Sequence, residues 1–147
     1  MCAKEFVASG DTVFFILGDN FFQFSPIMNI KMNDLIKNRG AYIFSYKVNN
    51  PEEFGVAELD ADNNVVSIEE KPKNPKTNNA VVGVYIYDDS VMEKIKTLKP
   101  SARGEYEVTD LNNLYIAEGT CRNITLSGWW VDAGTPDRIL ELESKLS

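Results

Sequence analysis

The apolar run at residues 13–17, VFFIL, constrains the fold more than any other part of this sequence. Its residues are aromatic, β-branched or leucine, with no polar side chain among them, which is typical of a strand buried on both faces in a parallel sheet. Gly18 and Asp19 follow directly. Because ligands of open α/β sheets lie beyond the carboxyl ends of the strands, Asp19 is a candidate site residue.

Further strands alternate with helices along the rest of the chain. Apolar patterns predict strands at residues 41–48, 80–88 and 123–132, and a hairpin at 56–71 around the turn sequence ADNN. Apolar stripes with capping residues or glycine at their ends predict helices at residues 25–40, 89–98, 108–118 and 135–146. This order predicts one α/β domain over residues 1–147, with a mixed, mostly parallel sheet.

Charge and residue content argue against several functions. The net charge is −7 and no long basic run occurs, which argues against a nucleic-acid groove or a polybasic membrane surface. The chain has no histidine, so any bound metal is expected to be a hard ion held by oxygen ligands. No apolar run approaches membrane-spanning length, and two isolated cysteines without a secretory apolar segment predict a reducing, cytoplasmic setting.

Two aspartates that follow predicted strands are candidate metal ligands. Asp19 follows residues 13–17, and Asp132 follows the sequence GWWV in the same way. Carboxylates at adjoining strand ends suit Mg²⁺, which takes one or two carboxylates and completes its shell with water and phosphate oxygens. The alternative interpretation is that each aspartate caps a turn or helix, since Asp132 lies just ahead of the predicted helix at 135–146.

The end of the predicted hairpin carries a second pair of candidates, Glu70 and Lys71. Val66, Ile68 and Glu70 share one face of an alternating strand, which directs Glu70 inward after two apolar residues. A carboxylate in that position accepts hydrogen bonds from sugar hydroxyls, and the lysine holds a phosphate as a point charge. A solvated salt bridge at the hairpin end is the alternative interpretation.

Residues 80–88 form a strand whose alternation places Val81, Gly83 and Tyr85 on one face. Gly83 removes a side chain in mid-strand, so that a ligand or another backbone can approach between Val81 and Tyr85. A plain hydrophobic core is the alternative interpretation. Gly55, at the start of another strand, is a weaker signal of the same kind.

Several segments together resemble the sugar nucleotidyltransferases in order and spacing: ILGDN, NNPEEFGVAELD, SIEEKPKNPK, AVVGVYIYD, LKPSARGEYEVTDLNNLY and GWWVDAGT. The resemblance runs over residues 3–146 and is greatest to the branch that transfers a thymidylyl group to glucose 1-phosphate. It implies a Rossmann-like nucleotidyltransferase fold with helices on both faces of the sheet. It also implies a homo-oligomer that makes dTDP-glucose and pyrophosphate from dTTP and glucose 1-phosphate with Mg²⁺.

The resemblance also implies roles for individual residues. Asp19 and Asp132 match the metal-binding aspartates of the family. The positions that match sugar-phosphate contacts are Gly55, Glu70, Lys71, Val81 and Tyr85. Lys71 would orient the attacking phosphate and is therefore the candidate catalytic residue.

Some features of the family differ or are absent. Phe54 stands where many members have tyrosine, and Asn79 and Val82 stand where tyrosine and threonine are common. The glycines never cluster into the family's glycine-rich triphosphate loop, and its base-recognition segment has no counterpart. These absences predict the C-terminal part of such an enzyme, inactive alone, whose strand at residues 13–17 has an unpaired edge or an exposed apolar face.

Two alternative functions stay open at the level of the sequence. Uridylyltransferases and guanylyltransferases share the fold and the metal aspartates, and the segment that distinguishes the bases has no counterpart in this sequence. The other alternative is a non-catalytic module that binds sugar phosphate or serves in assembly.

Overall fold

The computed structural model describes residues 6–23, 38–101 and 104–146. Its strands are β1 (Thr12–Ile16), β2 (Asn20–Phe22), β3 (Ala41–Lys47), β4 (Gly55–Leu59), β5 (Val65–Glu70), β6 (Asn79–Asp88), β7 (Cys121–Thr125) and β8 (Trp130–Asp132). Its helices are α1 (Val91–Thr97), α2 (Val108–Ala117) and α3 (Pro136–Leu146), with a 3₁₀ turn at Pro51–Glu53. The helix predicted at residues 25–40 lies outside the described residues, apart from 38–40.

One mixed sheet organises most of these elements, in the order β5-β4-β6-β3-β7. Strand β3 pairs with β6 along its length, whereas β4 pairs with β6 at Ala80 and β1 pairs with residues 84–88. Strand β3 therefore occupies one edge of β6, and β1 and β4 share the other edge. Strands β4 and β5 form the predicted hairpin. A separate two-stranded ribbon joins β2 to β8, with Asn20 opposite Asp132.

The prediction of a mostly parallel sheet is wrong for the described strands. Only β3 and β7 run parallel among them, and the other described pairings are antiparallel. Apolar patterning indicates which segments are buried, but it does not encode the direction in which neighbouring strands run. Strand β1 illustrates this, because it pairs antiparallel with β6 from Thr12 opposite Asp88 to Ile16 opposite Val84.

Strand β1 is also less buried than its sequence predicts. Phe14, Phe15, Ile16 and Leu17 are 45%, 41%, 46% and 37% exposed, so the prediction of a strand covered on both faces is wrong. Among the described strands its only partner is β6, which leaves its second edge without a described neighbour. The prediction of an exposed apolar surface on this strand is confirmed.

Hydrophobic layers cover both faces of the sheet. On one face Tyr85 of β6 belongs to a cluster with Tyr115 of α2, and residues of α1 join the same cluster. On the other face Phe54 and Trp130 pack with residues of β3 and β6. Helix α3 packs against β8 and places the Arg138 guanidinium 4.7 Å from the ring centroid of Phe54. No described helix is both long and apolar enough to cross a membrane.

Candidate active site

A cavity of about 300 Å³ lies where β1 and β8 end beside the open end of the β4–β5 hairpin. Every candidate residue inferred from the sequence lines it: Asp19, Gly55, Glu70, Lys71, Val81, Tyr85 and Asp132. These residues come from separate segments of the chain, so the fold and not sequence proximity brings them together. A polar cavity at strand ends is the expected position for a ligand site in an α/β sheet.

The β2–β8 ribbon brings the two aspartates together. Asn20 lies opposite Asp132 in this ribbon, and the Ala133 N–H donates to the Asp19 carbonyl at 2.7 Å. A Cβ placed on Gly134 would lie 3.1 Å from Asp132 Oδ1 and 3.7 Å from Asp19 Oδ2. Both carboxylates therefore face the same space beside Gly134.

The turn-capping interpretation of Asp132 also has support. Asp132 Oδ1 accepts a hydrogen bond from the Gly134 N–H at 3.1 Å. A carboxylate offers about four acceptor positions on its two oxygens, so one such bond leaves capacity for a second role. Capping of the turn and binding of a cation are therefore compatible at this residue.

The donor set at this space suits Mg²⁺. The described part of the chain contains no group of three or more histidine, cysteine, aspartate or glutamate side chains placed to hold a metal ion. Two carboxylates are nevertheless a common protein contribution to Mg²⁺, because water and phosphate oxygens complete its octahedral shell. Asp19 and Asp132 are accordingly the residues that could hold such an ion.

The cavity is strongly acidic. Lys71 is the one lysine or arginine among the described residues that line it. The carboxylates that line it belong to Asp19, Glu53, Glu70, Glu107 and Asp132. A phosphate group that enters this cavity meets an excess of negative charge, so its binding requires an added cation.

Arg138, beside this cavity, is already engaged. Its guanidinium forms an ion pair with Glu53 and lies over the ring of Phe54. Hydrogen bonds from Asn50 and then from Arg138 hold the pKa of Glu53 below its ordinary value. Glu53 is therefore ionised near neutral pH and paired with Arg138, which leaves Lys71 as the cation available to an incoming phosphate among the described residues that line the cavity.

Glu70 is held at the cavity wall by two neighbours. Thr109 of α2 donates from Oγ1 to Glu70 Oε2 at 3.0 Å. Gly55 lies opposite Glu70 in the hairpin, and a Cβ on Gly55 would be 3.2 Å from Glu70 Oε2. Gly55 thus leaves room for the Glu70 carboxylate. Thr109 was not found from the sequence, because its contact with Glu70 depends on how α2 docks on β5.

The predicted alternation along β5 is only partly correct. Ile68 is 7% exposed, as predicted. Val66, however, is 51% exposed and Val65 is 6% exposed, so Val65 and not Val66 is the buried residue at the start of β5. The pairing register shifts between Glu58 and Leu59 of the partner strand, which is an irregularity that alternation alone does not reveal. Within the described residues no ion pair joins Glu70 to Lys71, the pair that the salt-bridge alternative requires.

Lys71 reaches the cavity from an unusual backbone conformation. Its φ angle is +46°, in the left-handed region that a lysine rarely adopts. The Lys71 N–H donates to the carbonyl of Phe54 at 2.9 Å, which closes the hairpin at this point. Strained backbone of this kind clusters at functional sites, where the surrounding structure holds it in place.

Tyr85 forms part of an aromatic wall. Its ring stacks on Tyr87 with centroids 5.9 Å apart, and Tyr87 stacks on Tyr115 at 5.6 Å. Burial, together with the negative charge of Glu70, raises the pKa of Tyr85 well above its ordinary value. The phenol therefore stays protonated at neutral pH and keeps its capacity to donate a hydrogen bond.

The gap at Gly83 is filled by a residue that the sequence analysis did not select. A Cβ on Gly83 would lie 2.5 Å from Asn20 Nδ2, so a side chain of this protein, and not a ligand or another backbone, occupies the space. Asn20 Oδ1 accepts hydrogen bonds from the Gly83 N–H at 2.9 Å and from Trp130 Nε1 at 2.8 Å. Asn20 Nδ2 donates to Asp19 Oδ1 at 2.9 Å. Trp130 thus supports the site through its hydrogen bond to Asn20.

Comparison with known proteins identifies the class. The family model described as "Nucleotidyl transferase" matches residues 1–147, the whole chain. The chain therefore belongs to the nucleotidyl transferase family, and the resemblance seen in the sequence is confirmed.

Two relatives within this family share the name glucose-1-phosphate thymidylyltransferase. The chain is 43% identical to the glucose-1-phosphate thymidylyltransferase of Neisseria gonorrhoeae over 143 residues, which cover 96% of this chain and 49% of that protein. It is 44% identical to the enzyme of the same name from Mycolicibacterium smegmatis over 133 residues, 89% of this chain and 46% of that protein. The chain thus spans about half the length of the curated relatives it matches.

A solved structure supports the fold assignment. A Bacillus anthracis protein, assigned as a glucose-1-phosphate thymidylyltransferase and crystallised in complex with a sucrose, superposes with a TM-score of 0.83 at 41% sequence identity. The match covers 97% of this chain and 57% of that one. The prediction of a Rossmann-like nucleotidyltransferase fold is therefore confirmed, although the described strands are mostly antiparallel.

Proposed function

We propose that this chain supplies the sugar-phosphate and metal part of an enzyme that makes dTDP-glucose and pyrophosphate from dTTP and glucose 1-phosphate. The observation that carries the proposal is the convergence of Asp19, Asp132, Glu70, Lys71 and Tyr85 on one cavity. The names of the relatives support this choice of substrates. A uridylyl or guanylyl donor is the alternative within the same class.

The side chains around the cavity fit a phosphorylated sugar. Glu70, fixed by Thr109, offers a free carboxylate oxygen to sugar hydroxyls. Tyr85 presents a neutral phenol, and Val81 adds an apolar contact to the same wall. Lys71 provides a point charge for the phosphate and would hold its attacking oxygen in position.

The proposed reaction needs no side-chain base. A phosphate monoester is already anionic near neutral pH, so its oxygen can attack the α-phosphorus of the nucleotide directly while pyrophosphate departs on the opposite side. This agrees with a chain that contains no histidine. Mg²⁺, held by Asp19 and Asp132, would neutralise phosphate charge in a cavity that is otherwise acidic.

The exposed apolar face of β1 supports the proposal that the chain works only with a further polypeptide segment. Phe14 and Ile16 are nearly half exposed on that strand, and a surface of this kind usually contacts another segment or chain. We propose that the covering segment also brings the glycine-rich triphosphate loop. Cytoplasmic location and self-association of the assembled enzyme stay predictions.

The proposal is tested by assaying dTDP-glucose formation. The 147-residue chain alone is expected to form none, and addition of the N-terminal segment of a related thymidylyltransferase is expected to restore turnover. Asp19→Asn and Asp132→Asn should each abolish the restored turnover, whereas Asn113→Ala, on the exposed side of α2, should not. Full turnover by the chain alone would contradict the need for a second segment, and full turnover of both aspartate variants would contradict the metal assignment.

A non-catalytic module that binds sugar phosphate is the second candidate, because all the inferred sugar-phosphate positions lie in this chain. Titration calorimetry with glucose 1-phosphate distinguishes the two functions. Micromolar binding without nucleotide favours the module, and weak binding that strengthens once the second segment is present favours the partial enzyme. In either case the acidic cavity predicts that binding requires Mg²⁺.

A further inference from the structure

We propose that Asn20 is a positioning residue that fixes the Asp19 carboxylate in the orientation needed to bind the metal ion. This inference rests on the proposed function, in which Asp19 and Asp132 hold Mg²⁺. A Cβ placed on Gly134 would have oxygens of Asp132 and Asp19 within 4 Å, but no atom of Asn20. Asn20 acts through Asp19, to which its amide donates a hydrogen bond of 2.9 Å.

The orientation of the Asn20 amide is fixed by two donors. The Gly83 N–H and the Trp130 Nε1–H both point at one atom of the amide, at 2.9 Å and 2.8 Å. Since two N–H groups require an acceptor, that atom must be Oδ1, and both of its lone pairs are then occupied. The amide cannot flip without leaving both donors unpaired, so Nδ2 must point toward Asp19.

The two carboxylate oxygens of Asp19 have different surroundings. Oδ1 accepts the hydrogen bond from Asn20 Nδ2, while Oδ2 lies on the side of Gly134, where Asp132 also faces. The backbone is held as well, because the Asp19 carbonyl accepts from the Ala133 N–H at 2.7 Å. The carboxylate is therefore oriented before any ion arrives, and Oδ2 remains free to bind it.

The lack of a side chain at Gly83 leaves room for the Asn20 amide against the sheet. Gly83 lies in the middle of β6, and a Cβ there would be 2.5 Å from Asn20 Nδ2 and 2.8 Å from Asn20 Cγ. The absence of a side chain at Gly83 thus lets Asn20 sit directly on the strand. Trp130, held between Phe54 at 5.2 Å and Tyr46 at 6.0 Å between ring centroids, supplies a rigid second anchor. Rigid partners of this kind orient metal ligands, and their loss typically lowers metal affinity about 10–100-fold.

A purely structural role for Asn20 makes a different prediction. Asn20 also ties β2 to β6, so its loss could lower stability without changing metal binding. The test therefore measures the affinity for Mn²⁺, a paramagnetic substitute for Mg²⁺, by electron paramagnetic resonance of the free ion, at a temperature where every variant is folded by circular dichroism. No nucleotide, sugar phosphate or second segment is needed.

Asn20→Ala is expected to bind Mn²⁺ at least about tenfold more weakly than the unmodified chain. The matched control is Asn64→Ala, because Asn64 Nδ2 also donates to an aspartate, Asp60 Oδ2, at 3.0 Å, but in the hairpin turn outside the cavity. This control should leave Mn²⁺ affinity unchanged. Trp130→Phe keeps an aromatic side chain but removes the Nε1–H donor to Asn20, and it is expected to weaken binding by a smaller factor.

The outcomes separate this inference from the proposed function. If Asn20→Ala is folded and binds Mn²⁺ as tightly as the unmodified chain, the positioning role is wrong while the metal site stands. If Asn20→Ala does not fold, the test relies on Trp130→Phe. An unchanged Mn²⁺ affinity in that variant overturns the inference. If the unmodified chain shows no Mn²⁺ binding that Asp19→Asn removes, the metal assignment itself is wrong, and the inference is overturned with it.

Discussion

Replacement of Gly83 by alanine is expected to destabilise the chain by displacing Asn20. The new Cβ would lie 2.5 Å from Asn20 Nδ2 and 2.8 Å from Leu17 Cδ1. Ordinary contacts between such atoms are about 3.5 Å or longer. Leu17 is 37% exposed and can move aside. Asn20 is held by hydrogen bonds from the N–H of residue 83 and from Trp130, so the methyl group must break these bonds to fit.

The expected loss of stability follows from the two N–H donors that lose their acceptor. Once the amide is displaced, the N–H of residue 83 and Nε1 of Trp130 lose their acceptor, and both residues are buried. Each unpaired buried donor costs about 1–3 kcal/mol. The lower entropy of the unfolded alanine chain offsets about 0.4–1 kcal/mol of this. The two donors together cost about 2–6 kcal/mol, so with this offset the free energy of unfolding is expected to fall by roughly 1–5.5 kcal/mol.

Urea unfolding, followed by circular dichroism, measures this change. Gly18→Ala is the matched control, because a Cβ on Gly18 meets nothing within 4 Å, and its effect should stay within about 0.5 kcal/mol. The same Gly83→Ala change made in an Asn20→Ala background should cost no more than about 1 kcal/mol further, since the clash with the amide is gone. An equal loss in both backgrounds would refute the argument that the methyl group acts through Asn20.

Three further predictions concern the cavity wall. Gly55→Ala should push the Glu70 carboxylate away, since the new Cβ would be 3.2 Å from Oε2, and calorimetry should show weaker Mg²⁺-dependent binding of glucose 1-phosphate with little change in urea stability. Lys71→Gly and Lys71→Met should both weaken that binding. Only glycine adopts the φ of +46° without strain, so the free energy of unfolding of the glycine variant should exceed that of the methionine variant by about 0.5–1 kcal/mol. Burial raises the pKa of Tyr85 and Tyr87, so the folded chain holds these protons more tightly than the unfolded chain. Stability should therefore be full below pH about 10 and fall as the pH rises above it, as urea titrations at increasing pH would show.

The sequence predicted the hairpin and the candidate site because both depend on short-range signals. The turn sequence ADNN lies between two apolar runs, and strands β4 and β5 pair around it. Asp19 and Asp132 are recognisable in the sequence because each lies within two residues of the end of an apolar segment, and strand ends meet where ligands bind. Local patterns and the family resemblance together thus indicate residues that line one cavity, and their roles in binding metal and substrate stay predictions.

The features that the sequence did not predict depend on contacts between distant residues. Asn20 was missed because its role requires Gly83 and Trp130, which no local pattern connects to it. The prediction that β1 belongs to a parallel sheet is wrong, because an apolar run encodes neither the strand it pairs with nor the direction of that pairing. Simple alternation predicts that Val66 faces inward. The shift in register between Glu58 and Leu59 changes this, and that shift is a property of the two paired strands and not of either strand alone.

The exposed face of β1 leads to a last prediction, on the behaviour of the isolated chain. Phe14 and Ile16 lie opposite Ile86 and Val84, so they share one face of the sheet, and they are 45% and 46% exposed. We expect the chain to bind a hydrophobic dye and to self-associate as concentration rises, because an apolar strand without a described second partner favours both.

The double variant Phe14→Thr/Ile16→Thr should reduce dye binding and self-association, measured by fluorescence and analytical ultracentrifugation. Threonine retains the preference for strands, but Phe14 and Ile16 are each about half buried, so the free energy of unfolding should fall by roughly 1.5–3 kcal/mol. If this face receives the segment that completes the enzyme, the same variant should also need more of that segment to restore turnover. Unchanged self-association together with normal complementation would show that this face is not the one that is covered.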